Sequence, residues 1–286
     1  MIITVMIDLT TMERLGFAAE DARCLLRAMP PAEQLEPHRA SLAAGLAHRS
    51  KRGDGPPPKP PTDPAVCLYT ILASIPEIRE CHRVLGVADD ISWETLAHLG
   101  RTERVNGGVT LTFWEWLRYS GWLYQVGRLE ATVLQLRLHP KEAGPLFWYD
   151  DETAARLGIP ARVGDPALSI HVPANEALSP DACDASIARM RSGFAGRHLA
   201  VCTSWLLDDQ LAEYLPAESN IITFQQRFQL VPDARDDDEF MLRWVFGANR
   251  PASLDVLPRD TTLQRAIVDH LRAGRHWRLR TGWMAL

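Results

Sequence analysis

Apolar and polar positions follow two textures along this 286-residue chain. Through about residue 120 the spacing is helical. Phe17–Met29 (FAAEDARCLLRAM) and Pro31–His48 are rich in Ala, Leu, Glu and Arg, which predicts two helices. Ala65–Ser74 and Ile91–Leu99 read the same way; Asp90 or Ser92 would cap the second, with Glu94 early in its first turn. Between these pairs lies SKRGDGPPPKPPTDP, residues 50–64, whose six prolines and two glycines forbid a helix or central strand. It predicts an exposed extended loop, either inside one domain or joining two, and PPPKPP could be recognised as polyproline II. The aromatic stretch Leu111–Tyr124 places Phe113, Trp116, Leu117 and Tyr124 on one helical stripe, as packing would.

From Gly127 strand-like and helix-like pieces alternate. Arg128–Leu138 alternates as a strand would, with a helix as the alternative, and Leu168–Val172, His198–Leu207, Phe240–Phe246 and His276–Trp283 read as strands. Pro180–Phe194, behind Ser179, and Asn220–Phe228, behind Ser219, read as helices, as does Thr261–Ala273, ended by Gly274. This order predicts an α/β (α+β) protein: a mostly helical domain over residues 1–122 and a mixed sheet covered by helices over 123–286. The expected site is the cleft between them.

Composition narrows the function. Charge is −5, from 31 basic and 36 acidic residues, so no nucleic acid is expected as partner. No apolar run nears the ~20 residues that span a bilayer. Five cysteines without a C-x-x-C predict neither a disulfide framework nor a structural metal site, and fit a cytoplasmic protein. The phosphate-loop, zinc-protease, serine-elbow and dinucleotide motifs are all absent. Two places retain chemistry. His171, in the predicted strand SIHVP, has the side chain of a general base, and Glu176 follows it beside a helix N-terminus. The stretch after the apolar strand at 198–207 gathers Asp208, Asp209, Glu213, Tyr214, Glu218, Ser219 and Asn220, either as a site or as a surface loop with helix caps. The run Asp233–Glu239 (DARDDDE) reads as a solvated turn.

Ser204–Leu230 (SWLLDDQLAEYLPAESNIITFQQRFQL), Leu257–His270 (LPRDTTLQRAIVDH) and His276–Trp283 resemble a family of actinobacterial acyltransferase-domain proteins. Phe113–Leu129 and Ile170–Ala185 are similar to the same family. The resemblance implies a helical N-terminal domain, a GNAT-like C-terminal domain and acyl transfer from a thioester to an amine or hydroxyl of a small molecule. The implied donor is acetyl-CoA or another acyl-CoA, or an acyl carrier protein, with no metal. GNAT enzymes hold the donor pyrophosphate on a glycine-rich loop; this chain has VPANEALSPDAC there, without glycine. By position the resemblance makes Tyr214 the proton donor to the departing thiolate and His171 the base. Glu176, Asp208, Ser219 and Asn220 are the expected substrate contacts. The rival expectation is a non-catalytic GNAT-like module that binds a ligand or partner, with Trp205, Trp277 or Trp283 plugging the sheet opening. A thioester hydrolase or decarboxylase on the same fold is a third.

Overall fold

A computed structural model describes residues 7–52, 56–106, 112–136, 151–156, 158–173, 177–247 and 253–286. The chain divides into two compact units. The first holds residues 1–126 with 130–134 and 189–196; the second holds 127–129, 135–188 and 197–286.

The first unit is mainly helical: α1 Leu9–Arg14, α2 Ala19–Arg27, α3 Ala32–Arg52, α4 Pro64–Ala73, α5 Ile75–Val84, α6 Asp89–Asn106 and α7 Phe113–Tyr119. The short strand β1 Tyr124–Val126 follows, so Tyr124 leaves the helical stripe expected for it, and β2 Leu129–Gln135 runs beside β1. Local chemistry sets the helix ends. Asp63 caps α4 by accepting from the amides of Ala65 and Val66. Thr112 and Glu115 form a reciprocal capping box on α7. Residues 50–52, expected in the proline-rich loop, are the end of α3; further along, Trp116 Nε1 donates to the Pro58 carbonyl at 2.9 Å, and Pro58 lies against Gly45 of α3. A buried ion pair joins Arg118 of α7 to Glu130 of β2. His82 is fully buried, bonded through Nδ1 to Ser92 Oγ at 2.8 Å. Burial, and then the charges of Arg49 and Arg79, hold its pKa down to about 3.

The second unit contains α8 Asp151–Arg156, β3 Pro166–His171, α9 Pro180–Gly193 (whose last residues belong to the first unit), β4 Leu199–Ser204, α10 Asn220–Gln225, β5 Gln229–Asp236, α11 Asp238–Phe246, α12 Thr262–Arg272 and β6 Arg278–Ala285. Its strands are ordered β3-β4-β6-β5. β3 and β4 are parallel, with Leu168 opposite Ala200; β6 is antiparallel to both β4 and β5. This is a mixed sheet, and the protein is of the α/β class.

Two elements differ from expectation. Phe240–Phe246 is helix, not strand. Asp237 caps the amide of Phe240, Asp238 and Glu239 occupy the first turn, and Gly247 closes the helix at φ 68°. The buried positions Met241 and Leu242 pack into a cluster with Ile267 and Val268 of α12 and Trp277. The acidic run at 233–239 is therefore the end of β5 and the start of α11, where carboxylates favour the exposed amides. The strand expected to reach Leu207 stops at Ser204 and turns through a short 3-10 helix, Trp205–Leu207, capped by Ser204.

One close approach in the first unit admits only glycine. A Cβ on Gly100 of α6 would lie 2.3 Å from both the Gly16 carbonyl carbon and the Phe17 amide nitrogen. Gly100→Ala is expected to lower unfolding free energy by about 3 kcal/mol or more, as overpacking against backbone does. Gly196→Ala, at φ 72° with nothing within 4 Å, is expected to cost only about 1 kcal/mol. Urea midpoints of the two variants check the contrast.

Candidate active site

The sheet of the second unit has two faces, fixed by the period of two along each strand. Leu168, Ile170, Ala200, Cys202, Gly282 and Met284 share one face. It is closed by close packing: a Cβ on Gly282 would lie 2.8 Å from Phe228 Cβ and 3.3 Å from Leu207 Cδ1. On the other face, Ser169, Val201 and Trp283 form one row across three strands, and all three are buried. Continuing the register by two residues gives the next row: His171, Thr203 and Thr281. All three are half-buried, and Thr203 Oγ1 and Thr281 Oγ1 are 2.9 Å apart. The row lies where the parallel strands β3 and β4 end at their carboxyl ends, the usual place for a site in such sheets.

His171 is the last residue of β3. Burial holds its pKa down to about 4, because the imidazolium loses water. At neutral pH the ring is uncharged and has a lone pair to offer. Glu176 lies outside the described residues. Pro173 and Ala177, the described residues on either side, are both bonded to Arg128, which is buried: Nε donates to the Ala177 carbonyl at 2.9 Å and Nη2 to that of Pro173 at 3.0 Å. The Arg128 amide donates to Ser186 Oγ, and Ser186 in turn bonds the Ala182 carbonyl within α9. Arg227 reaches the other side of the first turn of α9. It donates to the Pro180 carbonyl at 3.2 Å and pairs with Asp184 at 2.7 Å. Two guanidinium groups thus stand at the positive end of a 14-residue helix, and both charges act on the thiol of Cys183, although burial raises that thiol overall. Neither arginine is marked in the sequence: Arg128 reads as the start of a strand and Arg227 as part of a helix, and no spacing ties either to residue 180.

Tyr214 follows a second 3-10 turn, Asp209–Glu213. Its ring packs on the cluster formed by α11, α12 and Trp277. Its hydroxyl is 3.0 Å from Nδ1 of His270, whose Nε2 is 3.2 Å from the His276 carbonyl. A carbonyl can only accept, so Nε2 carries the hydrogen and Nδ1 accepts from Tyr214. Burial lowers the His270 pKa, which keeps the ring neutral in this arrangement. His270 also stacks on Trp277 with centroids 4.0 Å apart. His270 was not singled out in the sequence, because its partner lies 56 residues away.

The other expected contacts have local duties. Asp208 is fully buried. Its carboxylate accepts from the Arg278 amide at 2.7 Å, the Gln210 amide at 3.1 Å and Gln210 Nε2 at 3.2 Å, with the Arg278 guanidinium 3.5 Å away. Ser219 caps α10 by accepting from the Ile222 amide, and Asn220 is the first residue of that helix. The structure therefore brings His171 together with two threonines, and Tyr214 with His270. None of the three tryptophans stands in the row of His171: Trp283 is in the row beneath, Trp277 is in the helical core, and Trp205 packs on that core. Among the described residues no group of three or more His, Cys, Asp or Glu could hold a metal ion, and no helix is long and apolar enough to cross a membrane.

Residues 123–284 match the family of the GNAT-like C-terminal domain, and residues 9–120 match the N-acyltransferase N-terminal domain. The chain belongs to this two-domain acyltransferase family. Acyl transfer from a thioester is its chemistry. Solved structures agree. A crystal structure of an acyltransferase in complex with decanoyl-CoA is 28% identical, with a TM-score of 0.66, covering 97% of this chain and 86% of that one. An acyltransferase in complex with decanoyl-CoA and teicoplanin is 30% identical, with a TM-score of 0.64, covering 97% and 87%. A mutant acyltransferase in complex with octanoyl-CoA is 29% identical, with a TM-score of 0.65 and the same coverage. No curated protein matches the chain.

Asp208 gives this site its clearest test of architecture. Asp208→Ala is expected to cost about 3 kcal/mol of stability, since it strips buried donors of their acceptor and leaves Arg278 short of a counter-charge. Asp255→Ala, which breaks a pair with Arg272 that is exposed on both sides, is expected to cost no more than about 1 kcal/mol. Denaturant melts of both distinguish a buried anchor from a surface pair.

Proposed function

We propose that this protein transfers a medium-chain acyl group from coenzyme A to the amine of a small-molecule acceptor, with His171 as general base. The observation that carries the reading is His171 at the carboxyl end of β3, in one half-buried polar row with Thr203 and Thr281. Relatives 28–30% identical over 97% of the chain hold decanoyl-CoA or octanoyl-CoA, and one of these holds teicoplanin as well. Cytoplasmic localisation fits the thioester donor. An acyl carrier protein is a second possible donor; no observation favours it over coenzyme A.

The residues present suit coenzyme A despite the missing glycines. Its pyrophosphate needs positive charge and free amides. Arg128, Arg227 and the N-terminus of α9 supply the field that a glycine-rich loop supplies elsewhere. When bound, coenzyme A provides an activated thioester carbonyl. The chain has to hold it, exclude water and manage one proton.

A base this weak suits an amine acceptor better than a hydroxyl. A hydroxyl holds its proton about as tightly as water, with pKa ~16, leaving ~12 units for so weak a base to overcome. A neutral amine attacks without prior deprotonation. Its N–H becomes acidic only after the C–N bond forms, and a weak base then suffices. His171 takes that proton as the C–S bond breaks. Tyr214 is proposed to protonate the thiolate, for which its hydroxyl hydrogen must leave His270 Nδ1.

His171→Ala is expected to lower kcat at least about 100-fold with decanoyl-CoA and a small amine, leaving acyl-CoA affinity by calorimetry unchanged. Wild-type turnover in that variant would remove His171 as base. Tyr214→Phe should cost about 1–3 kcal/mol of stability, because it orphans His270 Nδ1, and should lower kcat if the phenol is the acid; full kcat would remove that role. No detectable affinity for decanoyl- or octanoyl-CoA would overturn the donor assignment.

The acid limb of kcat/KM should follow the acceptor's own pKa, moving when a less basic amine is used. It should show no step near pH 6.5, since His171 stays unprotonated down to about pH 4. Linkage has a fixed sign here. Below about pH 6.5 the unfolded chain protonates this histidine and the folded one does not. His171 therefore lowers stability progressively as pH falls from about 6.5 to about 4. Melts of wild type and His171→Ala across that window check the difference.

A further inference from the structure

The row of half-buried polar side chains across β3, β4 and β6 has more members than the reaction has so far used. Thr203 and Thr281 are partners on adjacent antiparallel strands, and their hydroxyls are hydrogen-bonded at 2.9 Å. The parallel register places Thr203 alongside His171 on the neighbouring strand, at about the 4.8 Å strand spacing and on the same face. The row directly below contains Ser169, Val201 and Trp283, all buried. A valine at 203 or 281 would have the same shape and the same strand preference as threonine. What a threonine adds is one donor and two acceptor sites.

We propose that Thr203 and Thr281 are positioning residues for His171. In the substrate complex one ring N–H of His171 donates to Thr203 Oγ1, and the Thr203 hydroxyl donates onward to Thr281 Oγ1. This chain fixes one tautomer and turns the unprotonated nitrogen toward the attacking amine. Thr203 uses its acceptor toward the base and its donor toward Thr281, so the pair has a direction that an isolated hydroxyl lacks. A neutral imidazole needs such an orienter more than a charged one does, because only one of its nitrogens can take the proton. Hydrogen bonds of this kind tighten in the substrate complex. The role is distinct from catalysis proper: neither threonine touches the reacting atoms. The inference rests on His171 being the base.

The experiment compares Thr203→Val, Thr203→Ser, Thr281→Val and His171→Gln in the full chain. The readouts are steady-state kinetics with decanoyl-CoA and a small amine, acyl-CoA affinity by calorimetry, and ring ¹⁵N shifts of His171. Thr203→Val is expected to lower kcat about 10- to 100-fold, the cost of a misplaced catalytic group, with acyl-CoA affinity and KM for acyl-CoA unchanged. Its ¹⁵N shifts should pass from one tautomer to a mixture. Thr203→Ser should stay within about threefold of wild type, and Thr281→Val should fall between the two. Wild-type kcat and an unchanged tautomer in Thr203→Val, with His171→Gln inactive, would overturn the threonine role alone. Wild-type activity in His171→Gln would overturn the base and this proposal with it. A loss in Thr203→Val that Thr203→Ser shares equally would also overturn it, as a packing effect.

Discussion

The carboxylate of Asp208 is the constraint on which the second unit depends. It is fully buried, yet it faces the Arg278 amide, the Gln210 amide and the Gln210 side chain, with the Arg278 guanidinium close by. A carboxylate brought out of water at a cost of several kcal/mol is tolerable only when its lone pairs are filled this fully. The same atoms join three pieces of chain. Residue 208 ends the turn after β4, residue 210 lies in the turn that leads to Tyr214, and residue 278 begins β6. Gln225 of α10 adds to this junction, its side-chain amide donating to the carbonyls of Leu206 and Asp208. The exit of β4, the seat of Tyr214 and the entry of β6 are therefore set together.

Much of this fold was legible in the sequence where local chemistry decides structure. The helices over 64–73, 180–193 and 262–272 and the strands over 166–171 and 278–285 have their caps, first-turn prolines or alternation written beside them. Two failures share a cause. Phe240–Phe246 is a seven-residue apolar run whose composition suits a strand, and only the partners on α12 and Trp277 make its helical face pay off. β5 carries Pro232, Asp233, Arg235 and Asp236, so it has no strand signal of its own. It exists because β6 offers it a ladder, and its irregular register between Leu230 and Ala234 accommodates the poor sequence.

The site was legible by residue type and not by partnership. His171 could be chosen because an imidazole at a strand end is conspicuous. The depth of its pKa depression could not, since that depends on what encloses the ring. Tyr214 could be chosen by position, but its bond to His270 spans 56 residues and leaves no spacing to read. Asp208 and Ser219 looked like site residues for the same reason that they look like caps: a short polar side chain at a strand exit or helix start serves either purpose. Burial separates the two readings for Asp208, and an amide partner within three residues identifies the cap at Ser219.

Register links these observations to reactivity. Six consecutive pairs tie β4 to β6, from Leu199 with Ala285 to Ser204 with Arg280. A slip of one residue on β4 would replace Thr203 in the polar row with Cys202 or Ser204 and would drive Thr203 into the face closed by Phe228 and Leu207. The packing against Gly282 opposes such a slip on β6, since any other residue brought to that position would place a Cβ 2.8 Å from Phe228 Cβ. The Asp208 bond to the first amide of β6 opposes it from the other end. A row of one imidazole and two hydroxyls can therefore stay aligned across three strands without any of them being held by a loop. The positions of these three polar side chains are thus set by the sheet itself.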